Sequence, residues 1–121
     1  MKHKERIRVA AIAQSVFGDK KIDSVYDWSN SLYINIDVEF KNNKLAGFDY
    51  SNATHFDGDL KGEKVNVYCY DDTGYLEINF KKNLEFEGYC FISSSHFSGN
   101  YNNGDIELYD FGTSEYYNFG T

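Results

Sequence analysis

Apolar positions change period once along the chain. Val9, Ile12, Ala13, Val16 and Phe17 fall at i, i+3, i+4, i+7 and i+8, one stripe of an α-helix, with Arg6, Arg8, Gln14 and Ser15 largely off it. This spacing predicts an amphipathic helix over residues 3–17, closed by Gly18 at the C-cap and packed by its stripe on the rest of the chain. From Ile22 onward the period is 2. Tyr33–Phe40 and Tyr75–Phe80 alternate apolar and polar residues, which predicts strands with one dry and one wet face. Ile34, Ile36, Val38, Leu76, Ile78 and Phe80 then face the core, and Tyr33 and Tyr75 point away from it. Polar clusters at 29–31, 41–44, 61–62, 71–74, 81–83, 102–105 and 112–114 read as turns. With no second helix to carry parallel crossovers, successive strands are expected to pair as antiparallel hairpins.

The chain also repeats itself. An offset of 41 aligns residues 47–80 with 88–121 without a gap, with identities at Gly47/Gly88, His55/His96, Phe56/Phe97, Gly58/Gly99, Tyr68/Tyr109 and Tyr75/Tyr116. Val65/Ile106, Val67/Leu108, Leu76/Tyr117 and Ile78/Phe119 keep the alternation in step. A third, partial copy runs from Tyr26-Asp27-Trp28 to Tyr33, matching Tyr68-Cys69-Tyr70 to Tyr75 and Tyr109-Asp110-Phe111 to Tyr116. The shared element is a hairpin: Tyr-x-aromatic, a four-residue turn, then Tyr and alternating apolar residues. A period of ~40–45 residues with four strands also suits a propeller blade, but a propeller needs at least ~4 blades.

The expected fold is therefore mainly β, α+β by count. One N-terminal helix precedes an antiparallel meander of about ten short strands in 41–42-residue repeats, curled as a barrel or a two-layer sheet that hides its edges. A single domain over 1–121 divides into helix 3–17, partial repeat 22–40, repeat 45–80 and repeat 84–121. The glycines at 47, 58, 88 and 99 read as bends or bulges. Ser93-Ser94-Ser95-His96-Phe97-Ser98-Gly99, Leu108-Tyr109-Asp110-Phe111 and Tyr116-Tyr117-Asn118-Phe119 resemble a signature of small bacterial β-repeat proteins of uncharacterised activity. The resemblance implies a bacterial setting and a repetitive β fold, and transfers no site residue.

Composition sharpens this. Proline is absent, as a heavily paired sheet demands, and there are eleven Tyr and ten Phe. The net charge of −7 hides an asymmetry, because residues 1–21 hold six bases against two acids and no Lys or Arg follows Lys82. An acidic β body disfavours nucleic acid and suits a basic partner. Two cysteines, Cys69 and Cys90, are too few for a disulfide scaffold and point to a reduced, cytoplasmic protein. The apolar run Val9–Ala13 is too short for a signal peptide or a membrane span, so no membrane association is expected.

Chemistry is sparse. His55 and His96 occupy equivalent places after a hydroxyl residue, but no further ligands complete a metal site, so an imidazole bonded to a loop backbone is expected and no metal or cofactor is assigned. Asp57-Gly58-Asp59 lacks the rest of a calcium loop and reads as a turn or bulge. Cys69 would be a nucleophile if a His approached it, as would Ser94 or Ser95 beside His96, but none of them sits in a recognisable catalytic motif. No enzymatic activity is expected. The recurring rings of Tyr26, Trp28, Tyr33, Tyr68, Tyr75, Tyr109 and Tyr116, together with His55 and His96, are the candidate binding residues. The expected function is a non-enzymatic interaction module, protein-binding through an acidic, Tyr-rich β surface. An inhibitor or immunity-type protein masking a basic target, a carbohydrate-binding domain and a hydrolase of unrecognised type are the alternatives. Incomplete repeats would leave a free end for a second copy to cover, so a homo-oligomer is a further expectation.

Overall fold

The computed structural model describes residues 1–121: helix α1 (His3–Gly18) and ten strands, β1 (Ile22–Asp27), β2 (Leu32–Lys41), β3 (Lys44–Asp49), β4 (Thr54–Lys61), β5 (Lys64–Cys69), β6 (Gly74–Phe80), β7 (Glu85–Cys90), β8 (Ser95–Asn102), β9 (Asp105–Asp110) and β10 (Glu115–Gly120). All neighbours pair antiparallel, and β10 returns to β1 to close a barrel. The expected choice between a barrel and a two-layer sheet resolves to the barrel. Closure comes through Tyr26↔Gly120 and Asp27↔Phe119, so the incomplete-repeat argument for a second copy does not hold.

The repeating unit is shorter than expected. Five hairpins whose starts lie 20–22 residues apart build the wall, and the offset of 41 spans two of them. Residues 22–41 form a complete hairpin, β1–β2, rather than a truncated copy led by the helix. Hairpin 2 is β3–β4, hairpin 3 β5–β6, hairpin 4 β7–β8 and hairpin 5 β9–β10. Turns at 50–53 and 91–94, which polar clustering does not mark, join β3 to β4 and β7 to β8. In all five hairpins the turn ends on a residue with positive φ, namely Ser31, Ala53, Thr73, Ser94 and Ser114.

The helix is the main correction. It does not lie across an opening with one apolar stripe inward, because every residue from Glu5 to Ser15 is buried, the off-stripe Arg6, Arg8, Gln14 and Ser15 included. Its side chains reach β1, β3, the β5–β6 turn, Ser93, β9, the β8–β9 turn and β10, so it threads the lumen. Sixteen residues rise ~24 Å, enough to run from one mouth to the other. Val9, Ala10, Ala11, Ile12 and Ala13 are fully buried at mid-height. Three alanines there keep the helix thin, and Phe56, Phe86, Phe97 and Phe119 fill the remaining space from the wall. The helix ends with Asp19, not Gly18, in the left-handed C-cap conformation at φ 50.

Inward residues follow the expected alternation, with Ile36, Val38, Leu76 and Ile78 fully buried. The glycines are not bulges, since pairing runs unbroken through them. A Cβ at Gly47 would overlap the Phe56 ring, and one at Gly88 would sit 2.5 Å from the Phe97 ring, so each glycine makes room for the phenylalanine opposite it. Asp57-Gly58-Asp59 is mid-strand in β4, not a turn.

Candidate functional site

The hairpin turns gather at one mouth, where the period of 2 builds two concentric rings. Inside, the last residue of each odd strand points into the lumen: Asp27, Asp49, Cys69, Cys90 and Asp110, all buried. The N-terminal half of α1 meets them. His3 Nε2 lies 2.6 Å from Asp27, Arg8 Nη2 2.8 Å from Asp49 and 2.9 Å from Asp71, and Arg6 Nη1 3.0 Å from Asp110. The Met1 amino group also reaches Asp110 at 2.8 Å, and Lys4 bonds Asp71 and Asp72. Buried Glu5 accepts from Ser93 Oγ at 2.5 Å, from the Cys90 thiol at 3.5 Å and from the Lys2 backbone N–H at 2.8 Å. Cations crowd the positive end of a helix, and the aspartate ring offsets them.

The same aspartates cap their own turns. Asp27 accepts the Ser29 N–H, Asp49 that of Asn52 and Asp110 that of Gly112. Desolvation would raise the pKa of Asp27, Asp71 and Asp110, but hydrogen bonds to Asn30 and His3, to Arg8 and Lys4, and to the Met1 amino group, Gly112 and Arg6 respectively outweigh it and hold all three below the usual carboxylate range. Desolvation also opposes the charge on Arg8, and its bonds to Asp71 and Asp49 overcome this and raise its pKa. Burial pushes the Cys69 thiol up to about 11, and the charged side chains that act on it are Arg8 and Asp71.

Outside, the flanking residues form a girdle. Each hairpin contributes three rings: Tyr26, Trp28 and Tyr33; Phe48, Tyr50 and His55; Tyr68, Tyr70 and Tyr75; Tyr89, Phe91 and His96; Tyr109, Phe111 and Tyr116. In every triplet a half-buried central ring has its two neighbours at centroid distances of 4.6–4.9 Å. Edge-on and tilted contacts of this kind stabilise by about 0.5–1.5 kcal/mol each beyond area burial. The outer members stay open to solvent, with Trp28 58 % and Tyr116 64 % exposed.

All nine sequence candidates lie on this girdle. His55 and His96 belong to hairpins 2 and 4, with hairpin 3 between them, so they do not converge on a shared ligand. Their imidazoles pack edge-on against Phe48 and Tyr89 rather than bonding a loop backbone. It is their carbonyl oxygens that accept the Tyr70 and Phe111 N–H groups. Sequence reasoning missed six rings: Tyr70 and Phe111, although they stand in the repeated element, and Phe48, Tyr50, Tyr89 and Phe91, because hairpins 2 and 4 write the element with His in place of the final Tyr. The offset of one hairpin carries that signal.

Beneath the girdle the outward strand faces carry acids and amides, among them Asp37, Asp57, Glu77, Asn100, Glu107 and Asn118. A lipid-facing barrel presents an apolar band there. No helix of the structure is long and apolar enough to cross a membrane. Far-mouth lysines neutralise part of the acidity through Lys44–Asp59, Lys64–Glu77 and Lys81–Glu87 pairs. Comparison with family models, curated proteins and solved structures finds no match to this chain.

Proposed function

We propose that the chain is a non-enzymatic binding module whose aromatic rim docks on a protein with a basic surface. The observation that carries this is the girdle itself: fifteen rings, fixed in place by their own contacts, standing over a band of carboxylates. Rigid amphipathic rings lose little entropy on binding, and cationic side chains find both π faces and counter-charges there. An inhibitor or immunity-type role is one form of this reading, with the basic target as partner. The two free thiols support a reducing, cytoplasmic setting for it.

The test compares partner capture by the wild type and by a Trp28→Ala/Tyr116→Ala variant across a salt series. Capture that falls with salt and with the rim variant, but survives Lys61→Ala at the far mouth, supports the proposal. Capture indifferent to the rim residues overturns it. Glycan binding that resists salt and fails on Tyr33→Ala or Tyr75→Ala moves the conclusion to the carbohydrate reading.

A further inference from the structure

The girdle is not uniform. In hairpins 2 and 3 the ring at the start of the turn is a tyrosine whose hydroxyl bonds an aspartate of the preceding hairpin: Tyr50 donates to Asp37 at 2.5 Å and Tyr70 to Asp57 at 2.7 Å. The equivalent rings of hairpins 4, 5 and 1 are Phe91, Phe111 and Trp28, which have no hydroxyl to make that bond. Grooves of about 660, 620 and 490 Å³ open beside them, against about 360 Å³ beside Tyr50 and Asp37.

The groove at Trp28 has the most distinctive chemistry. Its volume is about 490 Å³, and its walls include Asn100, Asp105, Glu107 and Asn118. Register sets these side by side, since Asn100 pairs with Glu107, Glu107 with Asn118, and the backbone N–H of Trp28 donates to the backbone carbonyl of Asn118 at 3.2 Å. The result is a row of amide, carboxylate, amide and indole. Gly120 lets the indole settle: a Cβ there would be 2.9 Å from Trp28 Nε1 and 3.2 Å from an Asp105 oxygen. A neighbouring groove of about 430 Å³ shares Asn100 and Glu107 and extends to Tyr109, Phe111 and Tyr116. Glu107 therefore stands between the indole and a second group of rings.

Charge selects the ligand. Residues 83–121 contain six acids and no Lys or Arg, and neither Glu107 nor Asp105 has an ion-pair partner. Other outward acids of the wall, Asp59, Glu77 and Glu87, are each paired with a lysine. A ligand that suits the groove is cationic, planar and rich in donors. Guanidinium offers five N–H donors in a flat fork, accepts no hydrogen bond, sheds water more readily than an ammonium and stacks on aromatic faces. We propose that the Trp28–Glu107 groove is an arginine site, with Glu107 taking the fork, the indole face covering the plane and Asp105 adding charge. This rests on the rim-binding reading above and names the partner side chain that reading leaves open.

Trp28 is the sole tryptophan, so its fluorescence reports on this groove alone. The experiment titrates the full chain with acetylated, amidated triarginine, trilysine and tricitrulline peptides. The expected result is a saturable change with triarginine, at least about threefold weaker affinity for trilysine, and no response to tricitrulline, which keeps the shape without the charge. Glu107→Gln is expected to weaken triarginine by about tenfold and Lys61→Ala at the far mouth to leave it unchanged, because charge-assisted bidentate bonds are the strong ones. A response to tricitrulline equal to that for triarginine overturns the site, as does unchanged affinity in Glu107→Gln. Salt-resistant binding of a soluble oligosaccharide with no arginine response would assign the groove to sugar. Partner capture separates the two proposals. Capture retained by Glu107→Gln and lost by Trp28→Ala/Tyr116→Ala sinks the arginine site and keeps the binding rim, and capture retained by both sinks both. Thermal melts confirm that Glu107→Gln, an exposed substitution, stays folded.

Discussion

At the aromatic mouth the inner and outer rings occupy the same few residues of chain and differ in what they touch. Asp49 points inward to Arg8, while Phe48 and Tyr50 on either side of it point out. The inner carboxylates are bonded to the helix and to their own turns, and the outer rings touch mainly one another. One ring holds the molecule together, and the other is left over for something else. The difference teaches that a polar buried residue and an exposed aromatic one, both unusual singly, are explained here by opposite needs.

The comparison breaks most visibly at Arg8. Arg8→Ala leaves Asp49 and part of Asp71 uncompensated in the lumen, and a loss of about 3–5 kcal/mol in urea unfolding is expected. A loss below about 1 kcal/mol would show that the inner ring does not hold the helix. Acid attacks the same ring. Asp27, Asp71 and Asp110 have folded pKa values below their unfolded ones, so their stabilisation is complete above about pH 4 and drains away as pH falls through the depressed values. Urea midpoints measured down the pH scale should decline below that point while staying level just above it.

Smaller effects sharpen the outer half. Tyr109→Ala removes a half-buried central ring with one edge-on and one tilted contact, for an expected cost of about 1–3 kcal/mol in thermal or urea unfolding. Tyr116→Ala removes one outer ring and should cost under about 1.5 kcal/mol while reducing partner capture, a separation of stability from binding that no inner-ring variant should show. Smallest is Tyr70→Phe, which frees Asp57 from a solvent-exposed hydrogen bond and should shift the melting temperature least of these variants.

Much of the fold was legible because one face of each strand is dry. Alternation in Tyr33–Phe40 places Ile36 and Val38 inside and Tyr33 outside, and the structure agrees. The element Tyr-x-aromatic, turn, Tyr is likewise readable, and its x position is the inner ring in Asp27, Cys69 and Asp110. What escaped has a common cause: the helix. A stripe of Val9, Ile12, Ala13, Val16 and Phe17 implies a solvated opposite face, and nothing local says that Arg8 and Gln14 will be buried. Their partners, Asp49 and the carbonyls of Gly104 and Gly120, lie 41 to 106 residues away in sequence. Burial of a charge is decided by tertiary pairing, and periodicity carries no information about it.

The threaded helix also imposes an order on folding. Every hairpin joins residues close in sequence, whereas β1–β10 closure and the helix–wall bonds span nearly the whole chain. A finished barrel has no gap through which a sixteen-residue helix could enter sideways. Loop-closure entropy favours the local hairpins forming before the helix–wall contacts and the β1–β10 seam, the longest-range pairing in the wall. Until it is sealed, β1 and β10 present bare edges to any other strand, so the interval between hairpin formation and closure is when this chain is most exposed to mispairing.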